Sequence, residues 1–405
     1  MIFLADKKSC TGCAACVQSC SHSAIAMIRD DEGFLFPKID SIKCIECGLC
    51  ERRCPELHPI DRLDCSNQEA YAFISKQDRN KSSSGGAFSV FARWIIAQGG
   101  VVYGASMNEH FQVRHIEISS CEDLDKLRGS KYVQSDIADA YKQVLGHVKN
   151  GKKVLFTGTG CQVAGLYAFL GGKRYEGLLY TLDLVCHGTP SQRTFDSYIG
   201  KLQKKYSIKG EKIKEFRFRK FDSWSIVPTV KLSGTKEHIL TLSENSYMDA
   251  FFKGIIFRES CFHCQYCNTW RIGTFTIADF WGIGRHGIKF KKNVSCGVSL
   301  VIDNQGIMPH ICEELSLYAY IEKRNMREAI EEQHNLKEPM VRLPQRNFAV
   351  KMMNDENVSL DEFCEKCGLP YRKTVKWCLT KTIKDCICTL GLYNIYKTLI
   401  YKLGK

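Results

Sequence analysis

The first nine residues, Met1 to Ser9, lack the apolar stretch of an export signal, so a reducing, cytoplasmic setting with free thiols is expected. Also missing is a basic run interleaved with aromatics, which argues against nucleic-acid binding despite a net charge of +13. Only Val154 to Gly172 runs uncharged for the length of a membrane span. Its five glycines, with Thr157, Thr159 and Gln162, fit a buried strand, turn and helix better. Disorder and coiled coil are excluded by 44% hydrophobic and 25% charged residues in a chain of 405. At roughly 100–200 residues per domain, two or three domains are expected.

What the chain has in excess is cysteine, 22 in all, with eight in the first 54 residues. Those eight form two runs of one spacing, Cys10-x2-Cys13-x2-Cys16-x3-Cys20 and Cys44-x2-Cys47-x2-Cys50-x3-Cys54. Three thiolates three residues apart wrap one face of an iron-sulfur cube, while the fourth points to the cube held by the other run. Cluster one is therefore expected on Cys10, Cys13, Cys16 and Cys54, and cluster two on Cys44, Cys47, Cys50 and Cys20. Structural zinc favours ligand pairs rather than a repeated run of four. Between the runs, Ala24 to Met27 and Pro37 to Asp40 read as strands around the turn Asp30 to Phe34. The whole resembles a two-cluster bacterial ferredoxin, with Ser21 where a proline often follows the first run.

From Tyr71 onward strands and helices alternate: a strand at Tyr71–Ser75, a loop at Lys81–Gly86 and a helix over Ala87–Gln98 with Phe88, Phe91, Trp94 and Ile95 on one face. A serine-glycine loop opening a helix offers unpaired N–H groups to an anion; a plain helix cap reads the same way. Strands follow at Val101–Ser106 and Gln112–Ile118, then a helix over Asp136–Val148. Strand Val154 to Thr159 turns through Gly160 into a helix with Cys161 in its first turn, where the positive helix end should lower a thiol pKa. Cys186 ends another strand beside His187, but neighbours on a strand face opposite ways and do not make a catalytic pair. Cys261-x2-Cys264-x2-Cys267 begins a further cluster site without finishing it. The missing ligand must come from elsewhere, with Cys161 and Cys186 as candidates. Phe216 to Arg219 alternates like a half-buried strand with a cationic outer face, either solvated or walling an anionic substrate.

Several of these segments resemble the family of coenzyme F420-reducing hydrogenase and dehydrogenase beta subunits: Ser84–Ser89, Gly129–Ser135, Gly158–Leu166, Cys186–Ser191 and Cys261–Trp281, within roughly residues 70–305. Two departures are Gly160, where the family usually has proline, and the additional Cys267. The resemblance implies an FAD-binding domain with its own 4Fe-4S centre. It places cofactor contacts at Ser82, Ser84, Gly85, Gly86, Ser130, Lys131, Tyr132, Gln134, Thr157 and Gln162. It also favours Cys161, Cys186, Cys261 and Cys264 as the third centre's ligands, with Cys267 in reserve. The competing set uses Cys261, Cys264 and Cys267 plus one of the other two. Three oxidised clusters and a flavin pyrophosphate would offset roughly 8 units of the positive charge.

The expected architecture is an α+β ferredoxin-like domain at residues 1–60, an α/β flavin-binding domain with a mixed sheet at 70–305, and a helical C-terminal extension at 306–405. The expected function is an iron-sulfur flavoprotein oxidoreductase, passing electrons between ferredoxin-type clusters and a hydride-exchanging substrate or coenzyme. The alternative is a non-catalytic electron-transfer subunit of a larger complex. Partners would be a redox protein or low-potential ferredoxin and a small substrate. In the tail, Cys364, Cys367, Cys378, Cys386 and Cys388 suggest either core thiols or another metal site, and the helix expected over 383–402 either packs on the core or touches a membrane surface or partner.

Overall fold

The computed structural model describes residues 2–61, 65–208, 210–221, 223–233, 237–285 and 289–371. The segment expected as a helix over 383–402, with Cys378, Cys386 and Cys388, lies outside them. The N-terminal unit is α1 (Ala15–Ser19), hairpin β1 (Ile25–Arg29) and β2 (Leu35–Ile39), and α2 (Leu49–Arg52). The strands pair antiparallel around the turn that Asp30 organises by accepting from the N–H groups of Glu32 and Phe34.

The main unit follows as β3 (Glu69–Ser75), α3 (Ala87–Ala97), β4 (Val101–Met107), β5 (Val113–Ile118), α4 (Leu124–Leu127), α5 (Ala140–Lys149), β6 (Val154–Thr159), α6 (Gly160–Phe169) and β7 (Leu179–Leu184). Then come α7 (Gln192–Ser207), β8 (Ile213–Arg217), β9 (Thr229–Leu232), β10 (Glu237–Ile239), α8 (Ser246–Phe252), β11 (Phe275–Asp279), β12 (Ser299–Asp303), α9 (Met308–Ser316) and β13 (Ala319–Arg324). Three short helices end the described chain: α10 (Met326–Glu331), α11 (Arg346–Asn354) and α12 (Leu360–Cys367).

Eight strands form one mixed sheet in the order β13-β3-β12-β11-β7-β6-β4-β5. Its centre, β4-β6-β7-β11, is parallel, and the flanking pairs are antiparallel. Alternation along the strands builds both faces. Val102 and Leu155 join Phe91 and Ile95 of α3 on one side, while Val101, Tyr103, Val154 and Phe156 join Tyr141, Val163 and Tyr167 of α5 and α6 on the other. A separate aromatic core, with Phe195, Tyr198, Phe216, Phe218 and Tyr247, fastens the small sheet β10-β9-β8 to α7, α11 and α12.

The boundary expected at residue 305 is corrected by β13, which pairs with β3 inside the large sheet. Its sequence, Ala-Tyr-Ile-Glu-Lys-Arg, is that of an edge strand half open to water and carries no strong apolar pattern. The helix expected from Asp136 begins later, at Ala140, because Asp136 makes a bridge with Arg114 of β5. Val154 to Gly172 is the strand, turn and helix expected, and among the described residues no helix is long and apolar enough to cross a membrane.

Candidate iron-sulfur and cofactor sites

Two small cavities in the N-terminal unit sort its eight thiols. One is lined by Cys10, Cys13, Cys16 and Cys54, the other by Cys20, Cys44, Cys47 and Cys50. Each set takes its odd member from the other run. The first cavity also holds the Thr11 hydroxyl, which is buried with no hydrogen-bond partner among the described residues. A cube held by four thiolates fits this cradle and would offer that hydroxyl its acceptor.

This first cavity is pressed onto the main unit. Gly165 of α6 meets Cys13 so closely that a Cβ there would lie 2.8 Å from the cysteine Cβ and 3.1 Å from its Sγ. Gly165 stands four residues after Cys161, so both share one face of α6. Tyr266 packs beside Gly160, where a Cβ would stand 2.8 Å from the tyrosine Cβ. Glycine in place of proline at this position therefore leaves room for an aromatic ring. The Tyr266 hydroxyl donates to Glu56, two residues beyond Cys54, at 3.4 Å.

Cys161, Cys186, Cys261 and Cys264 lie near enough to feel one another's charge. Cys267 donates its S–H to the Cys186 carbonyl at 3.9 Å and stands against Cys264. The structure thus gathers all five, with Cys267 adjoining the four rather than standing apart. The expectation of an acidic Cys161 thiol is overturned. Burial first, then the neighbouring Cys264, push it up to about 12, and neither the helix end nor the Thr159 hydroxyl at 3.1 Å compensates. His187 engages Asn335 at 3.0 Å and packs among Phe251, Phe252 and Phe257 rather than bonding to Cys186. Cys364 and Cys367 are buried in the aromatic core of α8 and α12, and among the described residues they join no thiol cluster beyond their own pair.

A cavity of about 400 Å³ opens at the carboxyl ends of β6, β7 and β11, the end where open α/β sheets hold their ligands. Its wall contains Ser82, Ser84, Gly86, Ser130, Lys131, Tyr132, Gln134, Thr157 and Gln162, together with Cys161 and Cys186. These residues come from four separate stretches of the chain, so the sheet is what assembles them. Gly85 is the exception to the expected set. It stands behind the wall, where a Cβ would strike the Phe73 carbonyl and the Ser299 amide.

One end of the cavity brings together a helix N-terminus and a buried lysine. Helix α3 opens at Gly86 in the left-handed region, φ 88°, with no cap from its own N-cap residue; the Ala87 N–H donates to Ser299 Oγ at 3.4 Å, and Phe88 and Ser89 of the first turn stand at the wall. Lys131 donates to the carbonyls of Leu127 and Arg128, both at 2.8 Å, and burial pulls its pKa down to about 7. Arg128 and Arg93 share the buried Asp78, and Arg128 also pairs with Asp125, so these two guanidiniums are matched by two carboxylates. The Ser82 and Ser84 hydroxyls donate to Asp78 and Val298 carbonyls, so they shape the loop and its backbone is what faces an anion.

Thr157 and Gln162 are internal props. The Thr157 hydroxyl donates to the Tyr103 carbonyl, and Gln162 donates to Ser135, which donates to Nδ1 of buried His115. Burial lowers the His115 pKa to about 4, so the ring is neutral with its Nε2–H on the Thr157 carbonyl. On the far wall, Arg219 is not on a solvated cationic face, as its strand pattern suggested. It is buried and gripped by Asp279, which also accepts from Trp224, stacked on Trp281. Asn335, from the distant helical turn His334–Leu336, brings an amide nitrogen that is buried with no partner among the described residues. Nothing local in the sequence marks Asn335, Asp78 or His115 as parts of this site.

Comparison with known proteins agrees with the two units. Residues 151–329 match the family described as the C terminus of the coenzyme F420 hydrogenase/dehydrogenase beta subunit, and residues 9–57 match that of the 4Fe-4S dicluster domain. A curated relative, the F subunit of the F(420)H(2) dehydrogenase of Methanosarcina mazei, is 24% identical over 162 residues, 38% of this chain and 46% of the relative. The chain thus matches about half the length of that relative. A chain of the xenon-derivatized F420-reducing NiFe hydrogenase complex from Methanosarcina barkeri is 15% identical, with a TM-score of 0.43 over 77% of this chain and 97% of that one.

Proposed function

We propose that the chain is an iron-sulfur flavoprotein oxidoreductase, which takes electrons at its exposed N-terminal cluster site and delivers them to a hydride-exchanging coenzyme or substrate, of the F420 type or another, at the 400 Å³ cavity. The observation that carries this reading is the cavity wall itself, which has an anion-seeking end at α3 and Lys131 and, on the same surface, Cys161 and Cys186. Bound groups would supply one-electron chemistry at the thiol cages and two-electron chemistry in the cavity. The chain's own residues supply placement. Lys131 and the α3 N–H groups would hold a pyrophosphate, and Asn335 Nδ2 would donate to a ring or ribose acceptor. The four-thiol set of Cys161, Cys186, Cys261 and Cys264 would hold a third cluster beside the cavity, with Cys267 as the adjoining spare.

A second reading is supported by the relative named as part of a dehydrogenase: the chain would work as the electron-transfer subunit of a larger complex. One preparation separates the two. Anaerobic purification with iron, sulfide and flavin counts should give about 12 iron and one flavin per chain. About 8 iron without flavin would defeat the proposal. Full cofactor content with no hydride exchange in the isolated chain would select the second reading.

A further inference from the structure

Six arginines are deeply buried among the described residues: Arg128, Arg219, Arg258, Arg271, Arg324 and Arg346. Five have a carboxylate: Asp78, Asp279, Asp183, Glu328 and Glu32 respectively. Arg258, 1% exposed, has none among the described residues. Its Nε donates to the Cys10 carbonyl at 2.7 Å and its Nη1 to Gln134 at 3.2 Å. Its Nη2 donates to the Leu35 carbonyl at 3.0 Å and reaches Cys10 Sγ at 3.7 Å. The guanidinium also lies over the rings of Phe36, at 4.0 Å, and Phe34, at 5.4 Å.

Carbonyls and aromatic faces satisfy the N–H groups but leave a full positive charge in a dry setting, a costly arrangement unless an opposing charge is near. The thiol cage of Cys10, Cys13, Cys16 and Cys54, which Nη2 meets at Cys10 Sγ, supplies one when it holds a cluster; Cys261 also feels the Arg258 charge but has no hydrogen bond to it among the described residues. We propose that Arg258 is the built-in countercharge of cluster one, a positioning residue that raises that cluster's reduction potential above the value the cage alone would give. Reduction adds negative charge. A cation and an N–H donor at the ligand sulfur favour the reduced form, and removing them lowers the midpoint. Arg258 comes from the main unit, three residues before Cys261, so the electron affinity of cluster one depends on the unit it docks against. This inference rests on a cluster in the first N-terminal cage and on the contact of Arg258 with it, and it stands whether or not the cavity binds flavin.

The test is an anaerobic redox titration of Arg258→Gln followed by paramagnetic resonance, with cluster one identified as the signal lost in Cys16→Ser. At a fixed potential, the ratio of reduced to oxidised cluster one should fall about tenfold, a shift of roughly 59 mV for one electron. Cluster two, in the same molecule, should not move. If Arg258→Gln does not fold, Arg258→Lys carries the test: it keeps the charge, loses the fork, and should lower the ratio about threefold. A folded, iron-replete variant with the wild-type midpoint for cluster one overturns the proposal, as does an equal shift in both clusters.

Discussion

The two N-terminal thiol cages share a spacing and differ in almost everything around it. Cys10 and Cys13 are buried, and their cage is closed by α6, Arg258 and Phe36. Cys47 is exposed, and its cage borders Ile45, 63% exposed, beside Ile42, 95% exposed. A motif therefore sets which thiols share a cage, while residues more than a hundred positions away set how dry that cage is and what charge it feels. The dry cage adjoins the main unit and the wet one faces outward, which suits an internal relay and a contact for a partner protein.

The largest expected effect tests which thiols belong to which cage. Cys20→Ser should remove the exposed centre and spare the buried one, and Cys54→Ser should do the reverse, each at a loss of about four iron. Resonance spectra of the two reduced variants check this directly. If each substitution instead removes the centre of its own run, the crossing seen in the cavities does not describe the loaded protein.

How much of this contrast the sequence holds can be judged from single residues. The crossing is legible, because spacing alone fixes how far a loop can wrap a cube. The central β-α alternation is legible too, since Val154–Gly172 carries both the strand run and the glycine turn. The third thiol set is only half legible: Cys261 and Cys264 announce themselves, while Cys161 and Cys186 meet them through a sheet that no local pattern encodes. Cys161 misleads for a related reason. The helix-end rule is local, and burial with neighbouring thiols is tertiary and larger. Arg258, Gly165 and Asn335 look ordinary in sequence, and their roles come entirely from what folds against them.

An intermediate effect should come from opening the dry cage. Gly165→Val puts branched carbons where Cys13 and the Tyr141 hydroxyl already stand, the latter 2.7 Å from an ideal Cβ. Overpacking of this kind costs about 1–3 kcal/mol and is relieved most simply by parting α6 from the N-terminal unit. Iron release to a chelator should be biphasic in the native protein, with the buried centre at least about tenfold slower, by analogy with local opening in protected regions. In Gly165→Val the slow phase should merge with the fast one. Two phases of unchanged rate would show that burial against α6 does not protect cluster one.

The smallest effect belongs to the wet cage and concerns rate rather than integrity. Ile45 lines the cavity of Cys20, Cys44, Cys47 and Cys50 yet leaves most of its side chain in water. An exposed aliphatic beside an exposed thiol ligand is the kind of surface a transient redox partner covers, and covering one such side chain is worth about 1 kcal/mol. Ile45→Glu adds a charge there without touching the core, so stability should stay within about 0.5 kcal/mol of the native value. Electron exchange with a low-potential ferredoxin should slow about threefold to tenfold, by roughly the same 1 kcal/mol read as a rate. Reduction by a small reagent such as dithionite should keep its native rate, since it needs no docking surface. Slowing with both reductants would place the effect in the cluster itself, and slowing with neither would mean that partners approach elsewhere, leaving the contrast between the cages one of burial alone.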